Sequence, residues 1–343
     1  MAGNAVLEKD PLQETPGSAG TMERRFRFPM VPDGLYRAIL ATVAGVFCLV
    51  MVALVVTLVI KARPAFAHFG FGFLTGTDWD PVHAKYGALP FIIGTLETTA
   101  IGMVLAIPVG LGTALFLVHA VHPRLRAPLS TAVELLAAVP SVVYGLWALL
   151  VVAPWARTII EPALASITGS RGPFSGPQLG IGLLLAGLVL FVMVLPTMVA
   201  ISRDVIASVP SEEVEGAYAL GATRWQVLWR VVLPSARVGL LGAVTLSMGR
   251  ALGETIAVTM VIGNSTAIAH SLFAPASTLS SVIANQFTEA TEPFHLSSLI
   301  ALGVVLLVVS VIVNAAARLL VRSAGGFRGS SVVGEVALPS AIA

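Results

Sequence analysis

Cysteine is almost missing from this chain of 343 residues, charged residues make up only 11% of it, and lysine is limited to Lys9, Lys61 and Lys85. The single cysteine, Cys48, lies in an apolar run, which excludes an intrachain disulfide and a thiolate cluster and leaves the redox compartment unread. The three lysines follow Glu8, Ile60 and Ala84, never a glycine. A phosphate-cradling P-loop needs the glycine-lysine step, because backbone amides hold the phosphates that the lysine then neutralises, so no Walker A motif is present. The histidines, His68, His83, His119, His122, His270 and His295, form no HExxH pair. His119 and His122 stand i, i+3 at the end of an apolar run beside arginines, where they read as interfacial residues rather than a metal pair. With no recognisable set of nucleophile and base, the sequence offers no catalytic residue, no metal site and no bound cofactor.

What the chain has in quantity is apolar sequence. At 56% hydrophobic residues and mean hydropathy +0.91 it is far too apolar for a soluble domain and contains several bilayer-length runs. The runs predict an all-α membrane protein with six transmembrane helices, at about 36–60, 89–118, 129–153, 178–201, 238–262 and 296–320. Residues 1–35 are polar and turn-rich, without an early apolar core of the signal-peptide kind, and are expected to form a disordered cytoplasmic tail. Residues 36–322 form the membrane domain, and 323–343 a loose tail. The polar stretch 61–88, with Trp79 and Tyr86, reads as an external loop with aromatic anchors, and 154–177, rich in Gly, Ser and Pro, as a second loop. Leu279, Val282, Ile283 and Phe287 recur at helical spacing and predict a short amphipathic helix on the outer surface, within 277–290.

An even number of spans puts both termini on one side. Assigning that side to the cytoplasm leaves fourteen Lys and Arg inside and five outside, with Arg250 inside the fifth span. The positive-inside rule therefore turns the segment 210–234 toward the cytoplasm.

That segment, PSEEVEGAYALGATRWQVLWRVVLP, carries the clearest soluble-helix pattern in the chain. Ser211 is positioned to cap a first helix that opens on Glu212 and Glu213, acids favoured at a helix N-terminus. Gly221 ends it, needing a left-handed backbone. Thr223 and Gln226 match a capping box, so a second helix starts at once and is expected to run to Pro234. Glu215-Gly216-Ala217, three residues, Gly221, nine residues and Val231-Val232-Leu233-Pro234 resemble the EAA loop of ABC-importer permeases, with Gly216 in place of Ala and Val231 in place of Ile. The resemblance implies a cytoplasmic coupling helix that docks into the ATPase subunit through Glu215, Gly216, Ala217, Gly221, Leu233 and Pro234. The plain alternative is an amphipathic hairpin between two spans.

The other informative group is LSMGRALGETIAVTMVIGN, in which Arg250 and Glu254 stand four apart, on one helix face, in an otherwise apolar run. Ionisable groups at membrane depth cost several kcal/mol unless they pair or line an aqueous path, which makes this pair a candidate substrate site. A structural ion pair is the alternative. Glu97 and Glu134, nearer the ends of their spans, are weaker candidates.

Tyr86 to Thr99, Val139 to Trp147, Gly249 to Asn264 and the stretch around Ile283-Ala284-Asn285 are similar to permeases of bacterial phosphate-specific ABC importers, the PstC-like rather than the PstA-like group. This resemblance covers about 36–322 and implies a type I ABC importer permease fold in the bacterial inner membrane. It further implies a related PstA-like permease, a dimeric PstB-like ATPase that uses ATP, and an extracytoplasmic PstS-like phosphate-binding protein as partners. An ABC permease for another oxyanion or solute is the rival within the class. A proton-coupled secondary carrier is the rival outside it, for which paired inverted halves are expected and not evident.

Overall fold

The computed structural model describes residues 33–168 and 172–324. The expected tails fall outside these residues, except that 33–35 and 323–324 are already helical. The described chain divides into two units, the first ending at Ala53 and the second beginning at Leu54. The first contributes the apolar beginning of the helix Asp33–Phe69, and every later element belongs to the second.

Among the described residues, six helices are long and apolar enough to cross a membrane: Gly34–Phe69, Leu89–Ala120, Ser141–Ile167, Leu183–Ala207, Arg224–Gly253 and Pro293–Leu319. The second and fourth are the central pair. Their backbones approach where side chains are smallest. A Cβ added at Gly187 would lie 2.4 Å from Ile101 Cγ2, and one added at Gly110 would lie 2.6 Å from Met198 Cγ. Small residues at such crossings replace the hydrophobic driving force that lipid removes with close van der Waals packing.

Prolines account for most departures from the expected spans. The third run does not cross Pro140: Val139 is extended, as a residue before proline prefers, and the helix Pro123–Ala138 ends there. The third span instead begins at Ser141 and continues through Pro154 to Ile167, across residues expected to form a loop. Pro234 likewise does not end the second hairpin helix, which runs into the fifth span without interruption from Arg224 to Gly253. The cause is the same at both prolines. Each follows a widened π turn, Ala148–Val152 and Leu228–Val232. Widening the turn moves the carbonyl four residues back, which lies inside it in both cases, out of the way of the ring.

The fifth run is not one helix to residue 262. It stops at Gly253, Glu254 takes an extended conformation (φ −70°, ψ 129°), and a separate short helix, Ile256–Val261, follows. The helix expected within 277–290 is present as Leu279–Gln286 with a capping box between Thr278 and Ser281, but only its second half, with Ala284, Asn285 and the following Phe287, is exposed. Its first turn is buried: Leu279 N–H donates to Thr95 Oγ1 (2.9 Å) and the Ser277 carbonyl packs against Gly94. Trp79 and Tyr86 are also not surface anchors. They pair across a two-residue ribbon, Trp79–Asp80 with Lys85–Tyr86, and are buried among Phe69, Phe91 and Phe294. The Trp79 indole N–H donates to Gln286 Oε1 (2.9 Å), which ties this ribbon to the helix Leu279–Gln286.

Candidate functional site

Two places carry the residues that the sequence singles out. The first is the hairpin between the fourth and fifth spans. Its first helix is Ser211–Ala219, with Glu212 and Glu213 in the opening turn. Pro210, not Ser211, occupies the cap position, and no side chain caps this end, because Ser211 is already the first helical residue. The far end closes as a Schellman turn: Ala222 N–H donates to Ala217 O (3.1 Å) and Gly221 N–H to Tyr218 O (2.9 Å). Gly221 has φ +82°, the left-handed backbone expected of it. Both halves of the Thr223–Gln226 capping box are present, at 2.8 and 3.4 Å.

Below the turn, Val227 and Val232 are buried against Val214, Ala217 and Leu233, so Ala217 and Leu233 support the hairpin from inside. Ser235 Oγ donates to Glu213 Oε2 (2.7 Å) and ties the first hairpin helix to the fifth span. Glu215, Gly216, Gly221 and Pro234 face outward. So do large apolar groups that the motif does not contain: Leu220 is 90% exposed, Trp225 66% and Trp229 55%, the two indoles meeting edge to face at 5.4 Å. An apolar cluster left open beside a cleft lined by Ala217, Leu220, Gln226 and Arg230 is a surface shaped for a protein partner. The tryptophans are plain in the sequence, but the motif gives no sign of their exposure.

The second place is an open groove of about 1290 Å³ between the fourth, fifth and sixth spans. Arg250 lines it and donates through Nη1 to Thr197 Oγ1 (3.2 Å). Glu254 does not line it, because the helix has ended one residue earlier. The two residues are therefore not stacked on one helix face. The ion pairs among the described residues join His83 to Asp80 and Arg203 to Glu134 and Asp204, and neither Arg250 nor Glu254 takes part. Glu254 is half-buried, and its backbone carbonyl accepts from Ser280 Oγ (2.9 Å), anchoring the break to the helix Leu279–Gln286. Of the weaker candidates, Glu134 is engaged with Arg203 (2.9 Å) as an ordinary interhelical pair, and Glu97 is half-buried on the second span.

Sequence reasoning missed Glu161. This carboxylate is 2% exposed in the third span and accepts the Gly180 N–H (3.0 Å). Gly180 has φ +75° and its missing Cβ would strike Ala153 O at 2.3 Å, so the contact locks the loop before the fourth span onto the third. Its role is structural, and a glycine in a loop nineteen residues away gives it no sequence signature.

Multiple membrane-length helices, a hairpin with an unpartnered apolar surface, and an arginine facing an open groove define the class: a multi-pass transport subunit, not an enzyme. The family described as binding-protein-dependent transport system inner membrane component matches residues 106–325. The phosphate transport system permease protein PstC of Mesorhizobium japonicum is 44% identical over 86% of this chain and 90% of its own length. The PstC 1 protein of Mycobacterium tuberculosis is 38% identical over 77% and 85%, and the probable ABC transporter permease YqgH of Bacillus subtilis 37% identical over 80% and 86%. Among solved structures, a bacterial alginate ABC transporter in complex with its alginate-bound periplasmic protein aligns with TM-score 0.57 at 16% identity over 85% of this chain and 95% of that one. The MetNI methionine ABC transporter in an inward-facing form aligns at 0.51 and 19% identity over 72% and 99%, so the shared property is the fold. The chain belongs to the binding-protein-dependent transport system inner membrane component family, a multi-pass inner-membrane permease of the type I ABC importer fold.

Proposed function

We propose that this chain is one of two permease subunits of an ATP-driven phosphate importer, with Arg250 and Glu254 on the phosphate pathway and the hairpin 210–234 as its docking surface for an ATPase. The observation that carries the reading is Arg250: a guanidinium at membrane depth, without a carboxylate partner among the described residues, facing an open groove. A guanidinium stays charged in a low-dielectric site, and its planar fork of donors fits two oxygens of a phosphate. The names of the relatives support phosphate as the solute.

Glu254, which the break sets outside the groove's lining and which is in no ion pair among the described residues, is proposed to meet the anion elsewhere on the pathway, where a carboxylate has the chemistry to sort anions. Phosphate near neutral pH keeps at least one O–H, which a carboxylate accepts, whereas sulfate has none and leaves that carboxylate facing a like charge. The partners are a PstA-like permease, a dimeric PstB-like ATPase and an extracytoplasmic PstS-like phosphate-binding protein, with ATP consumed on the ATPase. Both termini lie in the cytoplasm on the arginine count, which places the hairpin within reach of that ATPase.

The test is phosphate uptake by the complete complex in vesicles, with sulfate and molybdate as competitors. Arg250→Lys, which keeps the charge and loses the fork, is expected to lower phosphate uptake. Glu254→Gln is expected to weaken discrimination against sulfate, with all subunits co-purifying in both. Normal phosphate uptake by an assembled Arg250→Ala complex overturns the reading.

A further inference from the structure

Arg250 is not the only arginine in its groove. Arg318, on the sixth span, lines the same cavity, as do Ser310 and Asn314 of that span. Ser310, Asn314 and Arg318 are spaced i, i+4, i+8, which sets them in one stripe along a helix. The register of the stripe against the fifth span is fixed by Gly249. A Cβ there would lie 3.7 Å from Asn314 Nδ2, so the Asn314 amide occupies the space beside the residue next to Arg250. Arg318 follows one helical turn later, about 6 Å along the axis.

The electrostatics of the groove are one-signed. Its lining holds two arginines and no Asp or Glu among the described residues. The neighbouring Arg203 makes the contrast: it is held by Glu134 at 2.9 Å and Asp204 at 2.8 Å, the arrangement expected of a cation whose task is packing. Arg250 and Arg318 have no such carboxylate among the described residues. Arg250, without counter-charge on a largely apolar wall, is costly unless an anion visits it, and Arg318, exposed near the end of the sixth span, holds its charge at the same groove. Hydroxyl and amide groups in the same lining offer neutral hydrogen bonds that do not compete for the charge.

We propose that Arg318, with Asn314, is a second station for a tetrahedral oxyanion, one turn beyond Arg250 on the way out of the groove. The proposal rests on Arg250 contacting the transported phosphate and extends that single site to a relay. Stations one turn apart let a phosphate engage the second guanidinium before it releases the first, so no step requires a bare anion against an apolar wall. With both termini in the cytoplasm, Arg318 lies on the cytoplasmic side of Arg250, which makes it the exit station. The same donors fit the phosphate of a lipid headgroup entering from the side, and the experiment separates the two sources.

The complete complex is reconstituted in vesicles of phosphatidylcholine alone and in vesicles that also contain phosphatidylglycerol, and uptake of inorganic phosphate is measured. Arg318→Ala is expected to lower uptake about tenfold in both lipids, the loss of about 1.4 kcal/mol of transition-state binding. Arg318→Lys is expected to recover part of it. Because Arg318→Ala can fail for want of assembly, a second measurement keeps Arg318 and uses Ala315→Cys, an exposed position lining the groove, in a complex whose Cys48 is replaced by Ser. Inorganic phosphate is expected to slow modification of the new thiol by an anionic reagent. Wild-type uptake by an assembled Arg318→Ala complex, or no protection by phosphate, overturns the relay. A defect confined to vesicles with phosphatidylglycerol also overturns it, in favour of a lipid headgroup. A relay that fails while Arg250→Ala abolishes uptake leaves the function intact. Normal uptake in Arg250→Ala removes the function itself.

Discussion

Gly216 and Gly221 stand close together in the hairpin and ask for opposite substitutions. Gly216 is inside a helix with ordinary dihedrals, and no atom lies within 4 Å of the Cβ it lacks. Gly216→Ala is therefore expected to stabilise the hairpin by about 0.5–1 kcal/mol, read as a raised midpoint of thermal unfolding of the purified complex. Gly221 is equally uncrowded, yet its φ is +82°, so the penalty there comes from the backbone alone. Asn visits this region and a β-branched residue does not, so Gly221→Asn should retain ATP-driven transport and Gly221→Val should lose it. Equal behaviour of the two variants would show that the left-handed turn is not what docking requires. In the polar stretch between the first two spans, Asp80 accepts from His83 and from the Val82 and His83 amides, and the His83 contact holds its carboxyl below the ordinary value of 3.8. A depressed carboxylate contributes stability that is whole above its unfolded value and is lost as pH falls through the folded one. Acidification below the ordinary carboxylate value should thus loosen the ribbon that holds Trp79, and Asp80→Asn should make the accompanying change in tryptophan fluorescence smaller.

At the scale of elements, Thr223 is the place to test the second hairpin helix. Its capping box satisfies donors that otherwise have no partner, and Thr223→Ala should cost about 1 kcal/mol, seen as an earlier loss of helix signal on heating. The box was legible because a cap is written within four consecutive letters. So were the left-handed Gly221 and the number and rough position of the spans, which follow from apolar length. The breaks were less legible, and proline shows why. Pro140, Pro154 and Pro234 are the same residue in similar runs, but only Pro140 ends a helix. The other two follow turns that have widened by one residue, and the choice belongs to the packing around each turn. The break at Glu254 was hidden for a related reason: the run stays apolar through it, and the interaction that holds it, Ser280 to the Glu254 carbonyl, comes from a distant element. The candidate site suffered accordingly. Arg250 and Glu254 are legible as two charges in an otherwise apolar run, but their i, i+4 stacking presumes a helix that ends one residue too soon.

For the whole molecule, the orientation and the docking of the hairpin are the quantities to measure. Leu220→Cys, at 90% exposure, should react with a membrane-impermeant thiol reagent only when the cytoplasmic face is opened, in a chain lacking Cys48. Labelling from outside intact cells would invert the topology. Glu215→Lys reverses a charge on the outer face of the hairpin without disturbing the buried Val227–Val232 cluster. It should weaken capture of the ATPase and phosphate-stimulated ATP hydrolysis, while the permease still reaches the membrane. An unchanged complex would remove Glu215 from the docking surface.

Because Pro234 fails to interrupt its helix, Trp225 and Arg250 belong to a single rod, Arg224–Gly253, in which 30 residues rise by about 45 Å. The rod emerges at one end as the hairpin's exposed tryptophan pair and carries Arg250 in its last turn. A docked partner that turned the tryptophan end would therefore be expected to re-aim the guanidinium at the other, with the π turn at Leu228–Val232 and Pro234 lying between the two ends.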